Sequence, residues 1–179
     1  AHQGRNPRQD AGQACCQPSR LDGLSRGQSP GASLGSRAGN GPNVNLALID
    51  TGPMVALFDA SDIAHRHYTD LLAQSDWQLT TTWPCVVEVC HFLRARAVQR
   101  FLRWVSEGGV IVYPFDVSNL PEMADLMARY TSPPRTEMDL ADASLVWLAQ
   151  DANTANVMTM DVRDFSRYRL PDGRHFELL

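Results

Sequence analysis

From residue 44 onward the apolar positions fall into short continuous runs separated by stretches with a helical period. Asn45 to Ile49 (NLALI) is too short for a helix and apolar enough to be covered on both faces, which predicts a strand ending on Asp50. Gly52 and Pro53 then open a helix running to about Asp59. Asp62 is the expected N-cap of a helix from Ile63 to Ala73, and Trp77 to Thr81 is the second strand. Pro84 sits in the first turn of a helix carrying Val86, Val87, Val89, Phe92 and Leu93. Arg94 to Ser106 gives another helix, closed by Gly108 and Gly109, before a third strand at Val110 to Tyr113 (VIVY). Leu120 to Tyr130 is helical until Ser132, Pro133 and Pro134 break it, and Met138 to Ala152 is the most strongly patterned helix of the chain. Val157 to Met160 (VMTM) is the fourth strand, and Phe176 to Leu178 a fifth at an edge. Strands that alternate with helices need right-handed crossovers. The expected fold is therefore α/β, a three-layer α/β/α sandwich around a mainly parallel sheet of four or five strands.

Composition changes this picture at the N-terminus. Residues 1–43 hold eight of the 12 Gly and four of the 11 Pro, with no aromatic, Ile, Val or Met. Such a stretch buries too little apolar surface to offset its ordering entropy, so a disordered tail is expected ahead of a single domain at 44–179. The chain opens on Ala and its first Met is Met54, which makes Val44 a candidate start and the tail a segment that need not be native. The tail carries five Arg against two Asp, whereas the remainder carries 11 Arg against 18 acids, so the domain itself is acidic. All 16 basic side chains are Arg. That excludes Schiff-base catalysis and P-loop binding of phosphate through Lys. No apolar stretch approaches the ~20 residues of a membrane span. Cys15 and Cys16 are adjacent in the tail, while Cys85 and Cys90 stand about 140° apart round a helix. They do not converge on a metal; reduced, packed thiols and a cytoplasmic location are expected.

The chemistry lies in the acids. In an open parallel sheet the active crevice forms beyond the carboxyl ends of the strands. Asp50 follows the first strand and Asp161 the fourth, and Asp139 and Asp142 share one face at the start of the helix between. Glu88 stands among Val86, Val87, Val89 and Cys90. A carboxylate in so apolar a setting should face a cation or a polar cleft, because an unpaired buried charge costs several kcal/mol. Each acid alone has a plain structural role: Asp50 in a turn, Asp139 as a helix cap, Glu88 on a solvated face. Together they would repel one another without a bound cation, and hard oxygen ligands of this kind suit Mg²⁺ or Mn²⁺.

Four short motifs carry a resemblance: Leu48-Ile49-Asp50-Thr51-Gly52, Glu88, Met138-Asp139-Leu140-Ala141-Asp142-Ala143-Ser144-Leu145, and Met158-Thr159-Met160-Asp161 with Asp164-Phe165. In order and spacing they resemble the PIN domain, in particular its VapC-type toxin branch, over residues 44 to about 170. The resemblance implies a divalent-metal-dependent endoribonuclease that hydrolyses RNA phosphodiester bonds, with a small antitoxin protein as partner and a homodimer as a possible assembly. It places Asp50, Glu88, Asp142 and Asp161 in the catalytic quartet, with Asp50, Asp142 and Asp161 on Mg²⁺ or Mn²⁺ and Thr51, Asp139 and Asp164 in support. No Lys and few Arg lie near these motifs, and Arg94, Arg96, Arg100 and Arg103 are the basic candidates for RNA contact.

Two other readings compete. Asp50-Thr51-Gly52 is also the signature of aspartic proteases, but those pair two such loops in an all-β fold, whereas this chain has one copy and many helices. A catalytically inactive PIN-like binding module has no use for clustered carboxylates, which the chain retains.

Overall fold

The computed structural model describes residues 45–132 and 137–179. The expected tail at 1–43, with Cys15 and Cys16, lies outside the described residues, as do Val44, Pro133 and Pro134. At the centre is β1 (Asn45–Ile49), whose Ala47, Leu48 and Ile49 are fully buried. It pairs in parallel with β2 (Trp77–Thr82) on one side and β4 (Asn156–Met158) on the other. Beyond these lie β3 (Ile111–Tyr113) and β5 (Glu177–Leu178), giving the order β3-β2-β1-β4-β5, parallel throughout. The chain thus leaves β1 toward one edge and returns beside it to build the other. At such a reversal of strand order the loops diverge and leave a crevice at the carboxyl ends.

The helices are α1 (Thr51–Phe58), α2 (His65–Ala73), α3 (Trp83–Phe92), α4 (Ala95–Ser106), α5 (Leu120–Tyr130), α6 (Leu140–Asp151) and α7 (Val162–Phe165). They cover the sheet in the expected α/β/α manner. β2 ends in three buried threonines, and each hydroxyl has a partner: Thr80 donates to Ile111 O, Thr81 donates to Ile49 O, and Thr82 shares a hydrogen bond with Ser144. Buried polar groups are tolerated there because none is left unmatched. The all-parallel sheet removes the aspartic-protease reading, which needs an all-β fold.

Three expectations are corrected. The helix predicted from Ile63 starts at His65, and Asp62 is not its N-cap. Its carboxylate instead accepts from Ala64 N at 2.8 Å, closing a turn that leaves Ile63 in solvent. The helix predicted from Met138 starts at Leu140 and is buried almost all round: from Ala141 to Ala149 every residue but Asp142 is buried. The strand predicted to reach Met160 stops at Met158, and α7 follows where no helix was expected.

Gly108 closes α4 in the left-handed region at φ +85°, where a glycine is favoured. Its neighbour Gly109 is required by space. A Cβ there would sit 2.0 Å from Trp104 Nε1. That indole packs on Phe58 and Phe101, with ring centroids 5.4 and 6.2 Å away. Gly109→Ala should therefore destabilise the domain by about 2 kcal/mol through overpacking. Urea unfolding followed by Trp fluorescence measures this, and a wild-type midpoint would show that the indole moves aside freely.

Candidate active site

Asp50 caps α1 directly at the end of β1. Its Oδ1 accepts from Thr51 N at 2.6 Å and its Oδ2 from the Thr159 hydroxyl at 2.8 Å. Burial pushes its pKa up to about 6 despite these two bonds, with the charges of Asp139 and Glu88 adding to the rise. The Thr51 hydroxyl points the other way and donates to Glu88 Oε2 at 2.8 Å, tying α1 to α3. The Tyr68 hydroxyl donates to Thr159 O at 3.1 Å, fixing from α2 the residue that holds Asp50.

Asp142 lies in the first turn of α6, whose N-cap Asp139 accepts from Asp142 N at 2.9 Å. The Tyr168 hydroxyl donates to Asp142 Oδ2 at 2.8 Å. Burial pushes Asp142 up to about 7; the Tyr168 bond opposes this, and Asp139, Asp50 and Asp161 push further. Asp161 caps α7 by accepting from Asp164 N at 2.9 Å, and its own N–H donates to the Thr159 hydroxyl at 3.0 Å.

These elements enclose a cleft of about 430 Å³ whose wall carries Asp50, Asp62, Glu88, Asp139, Asp142 and Asp161, with no basic side chain among the described residues. The four acids of the expected quartet are brought together, and Thr51 and Asp139 stand with them. Asp164 does not line the cleft; it pairs with Arg167 at 3.0 Å. Nor do the four arginines. Arg94, Arg96 and Arg100 border a separate hollow beside Phe58, where Arg100 donates to Phe58 O at 3.2 Å, and Arg103 is exposed further along α4.

Sequence reasoning missed Asp62, Thr159 and Tyr168. Asp62 had been assigned to a cap, and the two hydroxyls meet their carboxylates only through long-range contacts. Tyr168 is nearly fully buried, its ring edge-on to Tyr130 and Phe165. Gly52 admits Met160 to the cleft wall, since a Cβ there would lie 3.1 Å from Met160 Cγ.

Among the described residues the charged donors on the wall are all carboxylate oxygens. Cys85 is buried nearby, where burial pushes its thiol up to about 12, and it does not line the cleft. Among the described residues no three His, Cys, Asp or Glu side chains are already gathered as a metal-binding group. The acids ring the cleft instead. A carboxylate has about four lone-pair positions, and the hydrogen bonds above take one or two on each, so oxygen capacity remains for a hard cation.

No family model matches the chain. Ribonuclease VapC26 of Mycobacterium tuberculosis is 25% identical over 136 residues, spanning 74% of this chain and 98% of that protein. The crystal structure of VapC20 from the same organism, described as a sarcin-ricin loop cleaving toxin, superposes with a TM-score of 0.58 at 17% identity, covering 66% of this chain and 92% of that one. VapBC2 from Rickettsia felis, solved bound to a DNA fragment from its promoter, superposes with a TM-score of 0.52 at 14% identity, over 75% of this chain and 98% of that one. The two structures share the fold, and the curated relative is matched along nearly its whole length. The chain therefore has the fold of VapC20 and VapBC2 and is similar in sequence to a VapC ribonuclease. Within that fold the cleft lies at the carboxyl end of β1, the strand at which the sheet order reverses. Among the described residues no helix is long and apolar enough to cross a membrane.

Proposed function

We propose that this chain is a PIN domain of the VapC type and a divalent-metal-dependent endoribonuclease, the toxin of a type II toxin–antitoxin pair, acting in the cytoplasm. The observation that carries the reading is the cleft itself: six carboxylates with no basic side chain among the described residues, two of them, Asp50 and Asp142, pushed up toward neutrality by burial and by neighbouring carboxylates. Such a wall is costly unless a cation neutralises it, and oxygen donors alone suit Mg²⁺ or Mn²⁺. Asp50, Asp142 and Asp161 would hold the ion. When bound, it would acidify a water and screen charge developing on the scissile phosphate.

The protein's own part is orientation. Thr159 and Tyr168 fix one oxygen each of Asp50 and Asp142. Thr51 holds one oxygen of Glu88, which lines the cleft and is placed to accept a proton from water attacking the phosphodiester. Support for the ribonuclease reading comes from VapC26, a ribonuclease by name, and for the antitoxin from VapBC2, a toxin–antitoxin assembly. The same reading includes a homodimer, for which Trp83 and Val87, one turn apart and exposed on α3, offer an apolar face.

RNA cleavage by protein stripped with EDTA and then given Mg²⁺ or Mn²⁺ tests the proposal. Cleavage is expected only after the ion is restored. Full-rate cleavage by the stripped protein would overturn the metal mechanism, and absence of cleavage under every condition would favour an inactive binding module.

A further inference from the structure

Tyr168 is buried to 1% exposure and wedged edge-on between Tyr130 and Phe165, with ring centroids 5.0 and 5.3 Å away. A phenol so enclosed cannot swing away, and its hydroxyl needs a partner, since an unmatched buried donor costs about 1–3 kcal/mol. The partner is Asp142 Oδ2, at 2.8 Å. A carboxylate in the first turn of a helix otherwise turns about two side-chain bonds. Anchoring one oxygen on a rigid ring leaves a single direction for the other.

We propose that Tyr168 is a positioning residue: by holding Asp142 Oδ2 it commits the second oxygen of that carboxylate to the cleft and so sets the affinity for the cation. This rests on the reading of the cleft as a cation site. A role confined to packing would be satisfied by any ring of the same shape, and that difference separates the two.

The test is Mn²⁺ binding by titration calorimetry to the full chain as wild type, Tyr168→Phe and Tyr130→Phe. The first substitution keeps the ring and removes the hydroxyl. The second removes a neighbouring hydroxyl that accepts from Arg169 N and is not bonded to a carboxylate. Tyr168→Phe should bind Mn²⁺ about 10- to 100-fold more weakly, the usual consequence of losing an outer-shell partner, and Tyr130→Phe as tightly as wild type. Equal affinity of Tyr168→Phe and wild type would overturn the proposal while leaving the cation site standing. A loss in Tyr130→Phe as large as in Tyr168→Phe would also overturn it, because wall packing would then be the cause. If wild type takes up no Mn²⁺, the cation reading fails and this inference falls with it. Tyrosine difference absorbance supplies a second readout that does not need the Tyr168 variant to fold. Adding Mn²⁺ to wild type and to Tyr130→Phe should perturb it equally, and no perturbation in either would count against the proposal.

Discussion

Asp142→Asn should lose RNA cleavage by at least the about 100-fold that removal of a mere outer-shell partner can bring, yet without metal at about pH 8 it should melt no lower than wild type. The two halves have one cause. Asp142 is pushed up to about 7 by burial and by the charges of Asp139, Asp50 and Asp161, so above that pH the folded protein carries an ionised group it would rather have neutral. Asn keeps the shape and can still accept from the Tyr168 hydroxyl. It removes the repulsion at the loss of a favourable charge in the first turn of α6, an effect of about 0.3–1 kcal/mol. The expected balance is a gain of roughly 1 kcal/mol, a few degrees in Tm for a domain of this size. Metal binds only the folded state, so Mg²⁺ raises wild-type stability by about 2.7 kcal/mol at a hundred times its Kd. The variant should gain much less, and the two melting curves converge or cross as Mg²⁺ is added. An Asp142→Asn protein that is clearly destabilised without metal and gains as much as wild type with it would make Asp142 a structural residue and displace the site.

In the presence of a chelator, wild-type stability should fall from about pH 5 to pH 8 by up to about 4 kcal/mol, opposite to an ordinary carboxylate protein. Asp50 and Asp142 titrate near 6 and 7 when folded, against an ordinary value of 3.8. A raised acid binds its proton more tightly in the folded state. Its stabilising contribution is complete below the unfolded value and is lost as pH rises through the folded one. Each unit is worth about 1.4 kcal/mol, and the interval above pH 5 spans about one unit for Asp50 and two for Asp142. Asp59, Asp116 and Asp172 are held low by their hydrogen bonds to Ser61, Ser118 and Arg174, so their contribution is already complete at pH 5 and does not mask the trend. Saturating Mn²⁺, which needs ionised carboxylates, should reverse the slope. Thermal melts across this range measure it, and the double variant Asp50→Asn, Asp142→Asn should give a flatter profile. Wild-type stability that climbs steadily from pH 5 to 8 in chelator would mean that neither acid is perturbed.

The parts of this molecule that could be read from the chain are those decided locally. β1 and α5 were bounded to the residue, because a continuous apolar run and a Pro-opened helix each carry their own start and stop. α7 has four residues, too few to show a period. Asp62 obeys a local rule, but of another kind: the turn to Ala64 competes with capping and wins here. Likewise Asp50, Glu88, Asp142 and Asp161 were legible as acids near strand ends and within motifs. Thr159 and Tyr168 were not, since their carboxylate partners lie 109 and 26 residues away and only the folded sheet brings them together. The arginines were legible only as members of the predicted helix from Arg94 to Ser106; the sequence could not say which way that helix would be turned, and in the fold Arg94, Arg96 and Arg100 border the hollow at Phe58 and not the acidic cleft.

The position of β4 beside β1 gives the chain a built-in order of ripening. Translation makes Asp50, Glu88 and Asp142 first, while one edge of β1 still lacks the strand to which Asp50 N donates at Met158 O. Only the stretch from Thr159 to Tyr168 supplies Asp161 and both hydroxyls that hold the buried acids. Here the cleft of the nascent polypeptide is incomplete until this segment has emerged and docked, so the buried acids gain the partners that orient them only after the rest of the cleft has been made.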